Sequence, residues 1–278
     1  MSALDQLEAA LAGVESGEII PYLGSEVAAL SGSEAPATPE DLCAKIEAQV
    51  RVPKRAQGNL WSAAQYVESR KFRATLDKIV YEAFEGATGT NAIYDWIARI
   101  RPAMVVDAWY DGGLIEAYRQ GAEDWGWVQG VSRNGEWIEI WTRTYTPDGV
   151  ELESGPDANW PSLVYKPHGM ATKGYSFLLS DSDYVEVLTE IDIQTPIPEE
   201  VRHRRTGKGF LFLGCRFDDQ MLRIFARQIM KRSGGPAYAV LDGELTRMEQ
   251  RFLDEQGIIR LELPLSAVVE QVSGVPAV

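Results

Sequence analysis

The 278-residue chain is 45% hydrophobic and sets 27 Lys and Arg against 41 Asp and Glu, for a net charge of −14. That length suits one large domain, or one domain with an inserted piece, and the charge argues against broad binding to nucleic acid or anionic membranes. No window approaches about eighteen consecutive apolar residues, so no membrane-spanning helix is expected. Cys43 and Cys215 form no CxxC pair, which excludes a zinc ribbon, leaves no metal-ligating set, and makes a reduced, cytoplasmic setting the simplest reading.

In chain order, Ser2 followed by Asp5 signals a helix start, and Leu4, Leu7, Leu11 and Val14 give a helical stripe that Gly17 ends. This acidic amphipathic segment is unlike a signal peptide. EIIPYLG is a short buried strand, with Pro21 expected to confine it to an edge or to the strand's end. A loop rich in Ser, Ala and Pro runs to Thr38, and three or four helices fill a module over about 39–100. AMVVD is the next strand, followed by a helix after Gly112-Gly113. Over about 124–160, NGEWIEIWTRTYTPDGVEL alternates and turns like an inserted antiparallel hairpin around Pro147-Asp148-Gly149. LVYK, GFLFLG, AYAVL and GIIRLEL complete the strands, with helices behind the second and third of these. The basic stretch Arg202 to Arg232 admits two readings, solvated helix faces or a local seat for an anion.

Strands alternating with helices imply an α/β fold, a mostly parallel Rossmann-like sheet covered on both faces. Ligands on such sheets bind beyond the carboxyl ends of the strands. The loops that matter are therefore Gly24–Ser33, Asp107–Gly113, His168–Lys173 and Gly214–Asp219.

Five stretches in this order, PYLGSEVA, VVDAWYDGGLIEAY, VYKPHGM, LLSDSDYVEVL and GFLFLGCRFDDQMLRIF, resemble the motifs of the sirtuin-like (silent information regulator) family, in its bacterial branch without the zinc module. The resemblance spans about Leu7 to Ala267 and implies one domain, in which NAD lies in the cleft between the sheet and the helical module. Family members cleave the nicotinamide–ribose bond; some pass the ribosyl group to an acyl-lysine, and many bacterial ones hydrolyse NAD. The absent zinc cysteines make deacylation the less expected activity.

On this resemblance His168 matches the family's base on a ribose hydroxyl, a role imidazole suits because it titrates near neutral pH. Gly24, Ser25 and Glu26 occupy the phosphate loop, but Glu26 replaces its second glycine and Ala28 its serine. A carboxylate there repels a pyrophosphate unless it turns away or pairs with an arginine. Trp109 stands where the family has its catalytic asparagine, and an indole donates one hydrogen bond but accepts none. It either packs the cleft wall or stacks on a flat ligand beside Tyr110. Asp107 or Asp111 could replace the asparagine in orienting water, Asp111 having a competing use as the cap of the next helix. Gly214, with Cys215 beside it, ends a strand where backbone approaches a cofactor ribose, and Asp218 is expected to cap the helix behind it.

Six of the eight tryptophans (Trp109, Trp125, Trp127, Trp137, Trp141 and Trp160) fall on or near the hairpin. They suggest an aromatic lid or a face for a protein partner or a second copy, against plain core packing. Two functions follow. One is an NAD hydrolase with a divergent site. The other is a catalytically inactive module that binds a nucleotide or another flat small ligand, or a protein.

Overall fold

The computed structural model describes residues 2–86, 89–121, 123–132, 140–190 and 197–274. Helix α1 (Ala3–Glu15) starts on a reciprocal capping box. Asp5 N–H donates to Ser2 Oγ at 3.1 Å, and Ser2 N–H donates back to Asp5 Oδ2 at 2.8 Å. Its stripe of Leu7, Ala10, Leu11 and Val14 is buried against the sheet.

Strand β1 (Ile19–Leu23) follows, and then the helical module: α2 (Ser25–Ala29), α3 (Pro39–Gln49), α4 (Leu60–Lys71), α5 (Arg73–Phe84) and α6 (Ala92–Ile100). Beyond it come β2 (Met104–Asp107), α7 (Gly113–Arg119), β3 (Trp125–Gly130), β4 (Thr142–Tyr145), β5 (Glu151–Leu152) and β6 (Ser162–Lys166). The last part holds α8 (Asp181–Glu190), α9 (Glu199–Arg205), β7 (Gly209–Leu213), α10 (Gln220–Met230), β8 (Ala237–Val240), α11 (Arg247–Gln256), β9 (Ile258–Leu261) and α12 (Leu265–Ser273). The strands form one sheet in the order β5-β4-β3-β6-β2-β1-β7-β8-β9. It is parallel except where β4 and β5 run antiparallel at one edge. The expected α/β class is thus what the chain adopts, with α12 an additional helix after the last strand.

Period-two alternation sets the two faces. Phe210 and Phe212 of β7 join one core layer, while Leu211 and Leu213 join the other. A third cluster, built by Leu42, Ile46, Trp61, Leu76 and Phe84 of the helical module, also takes in Trp109, Tyr110 and Phe177 from the strand-end loops. The module is therefore packed onto the carboxyl ends of the strands.

Two expectations are corrected. Pro21 lies in the sheet's interior, because β1 is flanked by β2 and β7. Leu23, two residues on, accepts from Ala108 N–H, so Pro21 turns toward the β2 side, where the ladder holds only Tyr22↔Val106 and Leu23↔Asp107. The ladder to β7 runs the whole strand. The missing donor thus shortens one ladder without displacing the strand. The proposed hairpin is half of a larger arrangement. Its turn is real, with Thr146 N–H donating to Val150 O at 2.9 Å between β4 and β5, while residues 133–139 lie outside the described residues. β4 pairs back onto β3, which is itself parallel to β6.

That placement puts four of the six tryptophans in or against the core layers, while Trp137 lies outside the described residues. Trp125 and Trp127 are fully buried, among Tyr118, Tyr145 and Tyr175, and Trp141 and Trp160 pack on the opposite core layer. The basic stretch splits in the same spirit. Buried Arg205 gives one guanidinium nitrogen to Gln228 O and Ile229 O at the C-terminal end of α10, and Arg204 bonds Ala103 O and Trp160 O. Those two arginines staple helices and loops. Among the described residues no helix is long and apolar enough to cross a membrane.

Candidate functional site

The strand order reverses at β1, which has β2 on one side and β7 on the other, and a cleft opens beyond the strand ends at that reversal. Its floor is the backbone of two touching strand ends. Gly24 N–H donates to Leu213 O, and Glu26 N–H to Gly214 O at 3.1 Å. A Cβ on Gly24 would fall 2.2 Å from Gly214 O, and one on Gly214, where φ is +62°, would fall 2.7 Å from Val27 N. Each glycine is therefore required by the other's loop, whatever the cleft holds.

The cleft has a volume of about 220 Å³. One wall is apolar, made by Tyr22, Ala108, Trp109, Phe217, Leu222 and Ala226. The rim carries Glu26, Glu40 and Asp218, with Ser25, Thr38 and Thr246 as hydroxyls and Cys215 at the base. Burial raises the Glu26 carboxyl, with Arg216 pulling against that shift, and burial likewise pushes the Cys215 thiol well up, so that thiol is a small apolar group here. Arg216 is the rim's cation, and Glu249 holds it through two bonds of 2.8 and 3.0 Å.

A pyrophosphate fits this arrangement poorly. The amides of Glu26 and Val27 already donate to Gly214 O and Gly24 O, the arginine is engaged, and three carboxylates face the same space. Asp218 belongs to this rim; the helix cap expected of it is supplied by Asp219, which accepts from Met221 N–H at 2.6 Å.

Of the residues assigned from sequence, Gly24, Ser25, Glu26, Trp109 and Cys215 line the cleft and Gly214 lies beneath them at its floor, whereas Tyr110, Asp107, Asp111 and His168 do not line it. Trp109 is 3% exposed; its indole N–H donates to Pro36 O at 2.9 Å and its ring meets Phe84 and Tyr110. It is a wall that ties the 30–38 loop to the end of β2. Asp111 accepts from Gly113 N–H at 2.9 Å and from the Tyr94 hydroxyl, so it holds the first amide of α7 from the residue before the Gly112 cap.

Asp107 and Lys166 end neighbouring strands on one face and meet at 2.5 Å, both essentially without solvent. Burial pushes the Asp107 carboxyl up to about 6, against the pull of Lys166. A pair so enclosed is held by mutual need, since either charge alone would be stranded.

His168 is fully enclosed, packed on Phe225 at 4.7 Å between ring centres and near Tyr110 and Tyr184. Burial, with the nearby Lys166 ammonium, lowers its pKa to about 3, so it is neutral at physiological pH. Nδ1 lies 3.0 Å from the Tyr184 hydroxyl, which lies 3.1 Å from that of Tyr110, and Tyr110 donates to Leu178 O at 2.8 Å. Nε2 is buried and has no hydrogen-bond partner, a state that costs about 1–3 kcal/mol.

Sequence reasoning passed over Lys166, and it gives Asp183 and Tyr184 no chemistry, only support of the fold. Asp183 receives Arg73 of the helical module at 2.7 Å and the amides of Leu179 and Ser180, while Arg73 also bonds Phe177 O. A charged residue closing an apolar strand, as Lys166 does in SLVYK, was the available signal. Among the described residues no cluster of three or more His, Cys, Asp or Glu side chains is placed to hold a metal ion.

A family model described as "SIR2-like domain" matches residues 103–260, from the start of β2 to β9. No curated protein matches the chain.

Proposed function

The chain belongs to the SIR2-like domain family, and on that premise we propose that it is a small-ligand-binding module that keeps the family's cleft and does not hydrolyse NAD. SIR2-like domains generally bind NAD. The observation that carries the proposal is that every acid or base assigned to cleavage is committed inside the protein: Asp107 to Lys166, Asp111 to Gly113 and Tyr94, His168 to Tyr184. None of them lines that cleft, Asp111 lining instead a second cavity of about 610 Å³ with Asp77, Tyr81 and Lys173. Catalysis needs groups that reach the reacting atoms and respond to the charge developing there. The ligand that suits the cleft is a flat ring bearing hydroxyls and no pyrophosphate, a nucleoside rather than a dinucleotide.

The unpartnered Nε2 of His168 favours a second reading, NAD hydrolysis in a more open arrangement in which a ribose hydroxyl reaches that atom. One experiment separates the two. The purified protein is incubated with NAD while nicotinamide release is followed, and tryptophan fluorescence is titrated with NAD and with adenosine. The binding module gives no release and a saturable response to adenosine at lower concentration than to NAD. Release that disappears in His168→Ala establishes the hydrolase instead, and silence in both assays overturns both readings.

A further inference from the structure

Four N–H donors from three residues of the cleft converge on one carboxylate that does not line it. Glu249 Oε1 accepts from Arg216 Nε at 2.8 Å and from Phe217 N–H at 3.3 Å. Its Oε2 accepts from Arg216 Nη2 at 3.0 Å and from Thr246 N–H at 2.9 Å. Arg216, Phe217 and Thr246 all line the cleft, whereas the Glu249 side chain stands behind them on α11 without solvent contact. Arg216 Nη2 is fastened further by Glu244 O at 3.3 Å.

Two fixed amides and a forked guanidinium aimed at one point are a donor set suited to a phosphate or a carboxylate. Here the anion belongs to the chain itself. Burial works to raise the Glu249 carboxyl, but the bonds from Arg216 and Thr246 hold it below its usual value, so it is charged at neutral pH. Capping α11 needs less than this. The box is complete with the Thr246 amide and the return bond from Glu249 N–H to Thr246 Oγ1, and the bonds from Arg216 and Phe217 lie outside it.

We infer that Glu249 determines the specificity of the cleft: as an internal anion it takes up the donors that would receive a ligand phosphate, so the cleft admits an uncharged nucleoside and refuses the same nucleoside once phosphorylated. Glu249 acts through Arg216, Phe217 and Thr246, which makes it a positioning residue. Glu26, Glu40 and Asp218 face the same space and add repulsion. The choice among ligands rests on the proposed nucleoside reading; the filled donor set does not.

Glu249→Gln conserves volume, removes the charge and turns an amide NH₂ toward the donors, which releases Arg216. Adenosine and AMP are titrated against tryptophan fluorescence in the wild type and the variant. The wild type responds to adenosine at lower concentration than to AMP. In Glu249→Gln the ratio of AMP to adenosine affinity rises about tenfold, the worth of one charge-assisted bond, and adding Arg216→Gln abolishes the gain. A residue that only held α11 in place would weaken both ligands alike. An unchanged ratio with adenosine still bound, or a wild type that binds AMP as tightly as adenosine, therefore overturns the inference and leaves a nucleoside site standing. A second arm needs no nucleoside. Thermal unfolding is followed in inorganic phosphate against chloride at equal ionic strength, in the wild type, Glu249→Ala and Glu249→Gln, the last serving if the alanine variant does not fold. Phosphate raises the midpoint of the variants, whose vacated donors take the ion, and leaves the wild type where chloride does; equal shifts in all overturn the inference. A phosphate shift confined to the variants, with no response to adenosine in any protein, overturns the nucleoside reading and keeps Glu249 as the internal anion.

Discussion

Two regions at the same strand ends use polar groups in opposite ways. In the cleft between β1 and β7, Glu26, Glu40 and Asp218 face open space and the lone cation is already engaged. One layer away, Asp107, Lys166, His168, Tyr110 and Tyr184 are enclosed, and of the polar atoms on these five side chains only Nε2 of His168 is left without a partner. The first region has charge to offer a ligand; the second has chemistry but no access. On the proposed reading, a retained motif and a retained function are separate matters. The Lys-Pro-His-Gly loop and the Tyr-Asp of β2's loop remain, yet their side chains serve the fold.

The comparison is tested most severely at Lys166. Lys166→Met strands the Asp107 carboxylate and should cost about 3–5 kcal/mol in urea unfolding. The double variant with Asp107→Leu should recover most of that loss, and no recovery would mean that the pair does more than balance charge. A smaller effect lies in the pH dependence. His168 has its folded-state pKa depressed from 6.5 to about 3, so its contribution is complete above pH 6.5 and is lost as pH falls toward 3. Asp107 is raised from 3.8 to about 6 and works oppositely, gaining stability as pH falls through that window. The larger displacement is at His168, so acidification below pH 6.5 should destabilise the wild type. His168→Gln should flatten or invert that slope.

Trp109→Phe removes the bond to Pro36 O and also shrinks a buried bicyclic ring that packs on Phe84 and Tyr110, for an expected loss of about 2 kcal/mol in thermal unfolding. The smallest effect belongs to the open region. Glu26→Gln should leave stability within about 0.5 kcal/mol while raising the affinity for NAD relative to adenosine in the fluorescence titration. A large stability loss there would contradict the picture of a rim free to serve a ligand.

The fold was mostly legible because strand periodicity is local. GFLFLG alternates between two core layers within five residues, and the Ser2/Asp5 box caps α1 within three. What was not legible depends on partners far along the chain. The side to which Pro21 turns follows from topology, and the need for Gly24 follows from Gly214. The tryptophans of WGWVQG alternate with smaller residues as a half-buried strand would, yet β3 is buried on both faces, with Trp125 and Trp127 in one core layer and Val128 in the other. At the site, sequence placed Gly24, Ser25, Glu26, Trp109 and Cys215 around the cleft. It could not see that Asp107 meets Lys166, 59 positions later, or that His168 turns its Nδ1 to Tyr184.

The central strand has a consequence for how the chain folds. β1 pairs along its whole length with β7, Ile19 against Gly209, and more briefly with β2, Tyr22 against Val106. Closing so long a loop carries an entropic cost and makes folding slow. During synthesis the N-terminal strand waits, with one edge unsatisfied, until the final quarter of the chain leaves the ribosome. The cleft, whose floor is the meeting of Gly24 with Gly214, comes into being at that step. A truncated product that lacks β7 would therefore have no binding site to expose, only a sticky edge for chaperones to recognise.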